Sequence, residues 1–412
     1  MVKICDAIMG SGKSSAAITY INEHPNEKII YVTPYLAEAH RISQACPNTT
    51  LFEPQKNTRY KGSKTLHTIG LVEAGKSVAT THQAFVHYPP ELVEMIREKG
   101  YVLIVDESVD VLEAVEQNAD DVQMAIDANY LEPDGEGGYR CVKSDYKGKS
   151  HADLFRALQT RDVSKVSGEG RDDSYFYWQL PPTLFTAFKE VYVLTYLFEG
   201  QDMVHFLKMH EIPYEFIFVS RDEDGTFRFD GDEKYIPDYV VSIKDKIHIL
   251  DHRKMNDIGD DRFALSVSWY EKYPDRVDIL RKNVCNLFTN LYKVKKNQRI
   301  WSTYTDFERD ISGKGYGKAF VPFNQKSSND YRDCTVAAYC VNLYMNVGRK
   351  IFYRDHGVEV DENMYALSNM VQWIWRTAIR DGKEVVVYIP SSRMRKLLVD
   401  WMNQVSEEAN AA

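Results

Sequence analysis

Ala7-Ile8-Met9-Gly10-Ser11-Gly12-Lys13-Ser14 follows a short apolar run and leads into Ser15-Ala16-Ala17-Ile18-Thr19-Tyr20, which reads as a helix. A strand, a glycine-bearing turn and a helix in this order make a phosphate-binding loop. Several backbone N–H groups must turn toward one anion, and Gly10 and Gly12 permit that without Cβ clashes. Lys13 brings its charge to the β- and γ-phosphates, and the Ser14 hydroxyl stands where a Mg2+ ligand is needed. The positive end of the helix dipole adds to the attraction. The nucleotide-binding set is thus Gly10, Ser11, Gly12, Lys13, Ser14 and Ser15. Ala7 occupies the place where the general pattern has its first glycine.

A chain of 412 residues with 44% hydrophobic content has room for two to three domains, each with a full core. The six cysteines, at positions 5, 46, 141, 285, 334 and 340, form no C-x-x-C pair, so neither a zinc knuckle nor a disulfide framework is indicated. A reducing compartment suits them. No apolar run is long enough to span a bilayer, and the N-terminus enters the first strand directly. A soluble, cytoplasmic chain with no leader and no membrane partner is expected. The net charge of −9 argues against an overall basic coat but leaves a basic groove open. Local clusters at Lys293-Val294-Lys295-Lys296, Arg349-Lys350 and Arg393-Met394-Arg395-Lys396 read first as solvated faces.

The first half alternates strands and helices in the manner of a parallel sheet, with strands at 2–5, 28–33, 77–81, 101–105 and 191–195 and a helix at 36–43. A long polar insertion separates the last two strands, and Pro133-Asp134-Gly135-Glu136-Gly137-Gly138 within it reads as an exposed turn. Strand-like runs at 214–219, 239–242 and 246–250 are mixed with acidic turns such as Asp222-Glu223-Asp224-Gly225. The second half repeats the alternation, with strands at 299–304 and 384–389 and a strongly patterned helix at 369–380. Residues 407–412 read as a frayed tail.

Asp106-Glu107 closes the apolar strand at 101–105. An aspartate there, in the same sheet as a phosphate loop, is placed to hold Mg2+ together with Ser14. A neighbouring glutamate is placed to polarise the attacking water. The bland alternative is a cap on the next helix.

With these pieces the sequence resembles the superfamily 2 helicases and translocases of DExD/H type. Their first motif is commonly A-x-x-G-x-G-K-[ST], which accounts for Ala7. Val105-Asp106-Glu107-Ser108 matches their second motif in its D-E pair and departs from the DEAD and DEAH endings. Thr33-Pro34 and Thr80-Thr81-His82 sit where the family contacts the nucleic-acid backbone, and Thr195 sits where it couples hydrolysis to that contact. Gln372-Trp373-Ile374-Trp375-Arg376-Thr377-Ala378-Ile379-Arg380 is similar to Q-x-x-G-R-x-x-R, with Trp375 for the glycine and one extra residue before the second arginine. Gln372, Arg376 and Arg380 recur every four residues and would share one helical face. Either arginine would then serve as the finger that stabilises charge on the γ-phosphate. Aromatics such as Trp373 and Trp375 are candidates for stacking bases, with a core role the stronger reading. Trp301-Ser302-Thr303-Tyr304 resembles the first strand of the second lobe. Pro322-Phe323-Asn324 and Ser327-Ser328-Asn329-Asp330 fall in the region of a further motif without matching it. The family's adenine-reading glutamine motif precedes the loop by more residues than stand before it here. Compact chains of this layout suggest a bacteriophage origin and action in the host cytoplasm.

The resemblance implies an α/β fold of two RecA-like P-loop NTPase lobes with central parallel sheets. The first lobe is expected at 1–204 with an insertion at about 115–188, a connecting segment at 205–239, and the second lobe at 240–412. The implied function is an ATP- and Mg2+-dependent helicase or translocase that hydrolyses ATP in the cleft between the lobes. Its partner would be single-stranded or duplex nucleic acid, DNA ahead of RNA, with replication or recombination proteins alongside. Three alternatives stand beside it: a nucleotide kinase, a packaging ATPase joined to a nuclease, and an ATP-switched binding protein. The nuclease would need a carboxylate cluster, for which Asp245, Asp251, Asp257, Asp260 and Asp261 are candidates in turn-like contexts.

Overall fold

The computed structural model describes all residues except 116–118, 134–137, 144–145, 149–150, 159, 168–173, 232, 326–329 and 412. The turn expected at 134–137 and residues 327–329 of the weak motif therefore lie outside the described residues. The chain divides into two compact units. One comprises Met1–Ile8, Gly12–Tyr235 and Asn346–Val360, the other Met9–Ser11, Ile236–Met345 and Asp361–Ala412.

The first unit is built on strands β1 (Val2–Asp6), β2 (Ile29–Thr33), β3 (Leu51–Phe52), β4 (Ser77–Thr81) and β5 (Val102–Asp106). Helix α1 (Lys13–Glu23) follows β1 through the loop. Residues 102–105 are wholly buried, as the unbroken Val-Leu-Ile-Val run demands, and each such side chain contributes ~1.5–3 kcal/mol.

The insertion then supplies β6 (Leu112–Ala114), β7 (Leu131–Pro133), β8 (Gly138–Cys141), β9 (Asp162–Ser167) and β10 (Ser174–Gln179). These pair antiparallel in the order β6-β10-β9-β8-β7 around a small core that includes Val122, Leu154, Phe176 and Trp178. The insertion is thus a folded sheet with its own apolar interior. The chain returns to the main sheet with β11 (Glu190–Thr195) and β12 (Tyr214–Ile217). The completed order is β12-β1-β11-β5-β2-β4-β3, parallel at every pairing.

A short hairpin, β13 (Val219–Arg221) and β14 (Phe227–Phe229), packs against α1. Its turn uses the acidic stretch read from the sequence: Gly225 has φ +87°, and the Thr226 amide donates to Asp224 Oδ1 at 2.9 Å. Within the segment expected to connect the lobes (205–239), β12 thus extends the sheet and the hairpin covers its first helix. The helix Val347–Asp355 also belongs to this unit despite its late position in sequence. Arg349 is ion-paired with Asp202, the Tyr353 hydroxyl donates to Asp202 Oδ1 at 3.2 Å, and the Tyr177 hydroxyl donates to Asn346 Oδ1 at 2.9 Å.

The second unit holds β15 (Ile247–Ile249), β16 (Arg299–Ser302), β17 (Val336–Tyr339) and β18 (Val385–Tyr388), all parallel in the order β15-β18-β17-β16. Trp301 and Trp373 are fully buried, with indole N–H groups donating to Tyr316 O at 3.1 Å and Val321 O at 3.0 Å. Trp375 is also buried, packed edge-on to Trp401, so both candidate base-stacking tryptophans are core residues.

Three local expectations are corrected. Residues 239–241 fall in the helix Asp238–Val241, which Pro237 precedes and Ser242 follows, and not in a strand. The last helix runs Ser392–Ala411, so 407–411 are helical and not frayed. The helix read at 369–380 is Glu362–Ile374. It stops because the Arg376 amide turns to Trp373 O and the Thr377 hydroxyl takes Ile374 O at 2.7 Å, which consumes the carbonyls a further turn would use. A separate 3-10 turn follows at Ala378–Asp381.

Candidate nucleotide-binding site

Parallel pairing sets the strand ends of the first unit side by side. Asp6 of β1 registers with Thr195 of β11, and Leu194 of β11 registers with Asp106 of β5. The loop after β1 therefore opens beside Asp106 and Glu107, at the carboxyl ends of the strands where α/β sheets hold ligands. Gly10 and Gly12 have φ of +83° and +84°, a left-handed conformation that glycine adopts freely. Ser11 is buried and its Oγ meets no hydrogen-bond partner. Ser15 is exposed on the first turn of α1.

Lys13 Nζ donates to the carbonyls of Ala7 and Ile8, the second at 3.2 Å. Burial holds its pKa below the usual lysine range, against the pull of nearby acids that include Asp106 and Glu107. The Ser14 hydroxyl lies 3.4 Å from Asp106 Oδ2, and the Tyr31 hydroxyl donates to the same oxygen at 3.1 Å. Burial, then the Glu107 charge, pushes the Asp106 carboxyl up to about 7. Two adjacent half-buried acids, with a serine hydroxyl beside one of them, form a donor set that a hard divalent cation would neutralise. Ser14 and Asp106 fit the metal-holding roles read from the sequence. Glu107 adopts φ +62°, which costs a non-glycine residue ~1 kcal/mol or more, and its amide donates to Leu194 O at 2.9 Å.

Sequence reading missed two residues here. Asp6 accepts from the amides of Leu197 (2.8 Å) and Phe198 (3.1 Å), fixing the loop after β11, where Leu197 also has a left-handed φ of +56°. Burial raises its pKa while those two amides oppose the shift. Tyr31, in the middle of an apolar run, reaches Asp106. Neither carries a local signal, because each acts on a strand distant in sequence.

The side chains expected to grip a nucleic-acid backbone are mostly out of reach. Thr33, Thr80 and His82 are buried, and His82 Nε2 lies 2.8 Å from Asp106 O. Thr81 accepts from the Ala84 amide as a helix cap; it and Pro34 are half-buried. Thr33, Thr80 and His82 thus pack at the strand ends with their side chains turned inward. Thr195 is buried with its hydroxyl 2.9 and 2.7 Å from Oε1 and Nε2 of Gln201.

In the second unit the three residues of the arginine motif do not share one helical face. Gln372 is on the helix, bonded to Ser368 Oγ at 3.3 Å, while Arg376 lies beyond its end and is buried. Arg380 stands exposed on the 3-10 turn. Two basic clusters are structural: Arg349 pairs with Asp202, and Arg393 donates to Asn342 Oδ1 at 3.1 Å and Leu343 O at 2.8 Å. Lys293, Lys295 and Lys296 are exposed, as expected. Among the described residues no group of three or more His, Cys, Asp or Glu is gathered to hold a metal ion, the aspartates at 245–261 included. Nor is any helix among them long and apolar enough to cross a membrane.

A family model described as the YonV C-terminal Rossmann-like domain matches residues 241–402. The SPbeta prophage-derived protein YonV of Bacillus subtilis (strain 168) is 33% identical over 412 residues, covering 97% of this chain and 98% of that protein. Among solved structures, an apo form of XPD aligns over 98% of this chain and 95% of its own, with 12% identity and a TM-score of 0.50. A single-residue variant of Dbp5 from S. cerevisiae, bound to RNA and ADP BeF3, aligns over 98% and 83%, with 9% identity and a TM-score of 0.41. The XPD likeness concerns the fold alone. The chain is an α/β protein of two RecA-like lobes with parallel central sheets and an insertion in the first.

Proposed function

The chain belongs to the YonV family, and we propose that it is an ATP-dependent nucleic-acid translocase or helicase. The observation that carries the ATPase half is the row of strand ends that gathers Lys13, Ser14, Asp106 and Glu107 around one glycine-bearing loop. In this reading the loop amides and Lys13 bind the triphosphate, and Lys13 exchanges the Ala7 and Ile8 carbonyls for phosphate oxygens. Ser14 and Asp106 would hold Mg2+, which would neutralise charge at the phosphates. Glu107 orients water and accepts its proton, with its strained backbone fixed by Leu194 O. Arg376 and Arg380 of the second unit are the candidates for the charge-stabilising arginine, and exposure favours Arg380. The nucleic-acid half rests on the motif resemblance, with DNA ahead of RNA as the track and Thr195 as the coupling residue.

Two substitutions test the site. Lys13→Ala is expected to weaken ATP binding, whereas Glu107→Gln keeps binding and lowers turnover by ~10²–10⁴-fold. Equilibrium nucleotide binding and steady-state hydrolysis read these separately, and turnover retained in either variant overturns the assignment.

A further inference from the structure

We propose that the β13–β14 hairpin is the nucleobase-binding element, with Phe227 as its stacking face; this rests on the loop holding a nucleotide, as above. Phe227 lies directly against the loop. A Cβ built on Gly12 would come within 2.3 Å of Phe227 Cδ1, so the ring sits where only glycine leaves room. Gly12 is also the N-cap of α1, the end that binds phosphate. An aromatic face in contact with that glycine borders the position from which ribose and base must extend.

The ring packs on the core beneath α1 yet is not enclosed by it. Phe227 and Phe229 alternate with Arg228 along β14, so both rings face α1. Phe229 does the anchoring, stacked on Tyr192 at 5.3 Å and 20° and lying 6.5 Å from Tyr20. Arg228 fastens the same end through Glu23 and Asp222. Phe227, at the other end of α1, is partly buried, as Phe229 is, and differs from it in lying against Gly12. It meets Tyr235 edge-on at 5.3 Å, and the exposed Arg221 guanidinium lies 5.4 Å from the Phe227 centroid and 5.6 Å from that of Tyr235. Two aromatic rings with a guanidinium stacked beside them form a surface suited to a flat heterocycle.

The test compares Phe227→Ala and Phe227→Tyr with the unaltered chain, titrating each with ATP and with inorganic tripolyphosphate, which has no base. Stacking on an aromatic ring predicts that Phe227→Ala weakens ATP binding by about tenfold or more while tripolyphosphate binding stays unchanged. Phe227→Tyr should restore ATP binding. Equal weakening for both ligands means that the ring only shapes the loop, and no change for either means that the base lies elsewhere; both overturn the proposal. If the unaltered chain binds neither ligand, the nucleotide reading itself fails, and this one with it.

Discussion

Lys13 lies some ninety residues before Asp106 and Glu107 yet meets them at the carboxyl ends of one sheet's strands, and their legibility differs with the kind of signal each leaves. The loop was readable because its physics is local: glycine at positive φ, then lysine and serine at the start of a helix. The acid pair was readable from its place at the end of an apolar run. Tyr31 and Asp6 were not, because hydrogen bonds across strands leave no pattern along the chain. Thr33, Thr80 and His82 are candidates for nucleic-acid contact by motif position alone, and the motif does not announce that their side chains are buried.

At the same scale, His205 gives a pH prediction. Its ring is buried against Tyr353 at 4.9 Å, neither ring nitrogen has a hydrogen-bond partner, and burial lowers its pKa from 6.5 to about 4. The unfolded chain takes up a proton below pH 6.5, whereas the folded chain does not until pH 4. This group therefore removes stability as pH falls through that window, by about 3 kcal/mol in full, and nothing further below it. Urea unfolding of His205→Phe against the unaltered chain between pH 7 and 4 checks this; identical slopes would contradict it.

Among elements, the helix Val347–Asp355 belongs to the first unit although it lies between two strands of the second, a placement that no periodicity announces. Its attachment depends on the Arg349–Asp202 pair, whose side chains are 22% and 17% exposed. Arg349→Ala leaves the half-buried Asp202 without its cation and is expected to cost about 2 kcal/mol in denaturant unfolding. The double change Arg349→Met with Asp202→Leu should recover most of that loss, and equal destabilisation in both variants would count against the ion pair. The helix end at Ile374 shows a related limit of sequence reading. Four-residue spacing of Gln372, Arg376 and Arg380 suggested one helical face, but a threonine hydroxyl ended the helix between the first two.

For the molecule as a whole, the alternation of strands and helices made the α/β class readable. The order of strands in each sheet and the antiparallel insertion emerge only from pairings between distant segments. The two parallel sheets and the likeness to XPD establish the fold, while action on nucleic acid is a proposal that rests on the motifs. The most direct measurement is the rate of Mg2+-dependent ATP hydrolysis without nucleic acid and with single-stranded DNA, duplex DNA and RNA, using Lys13→Ala as the blank. A slow basal rate, strongly stimulated by DNA and absent in Lys13→Ala, is the predicted result. Robust hydrolysis indifferent to every nucleic acid would contradict it.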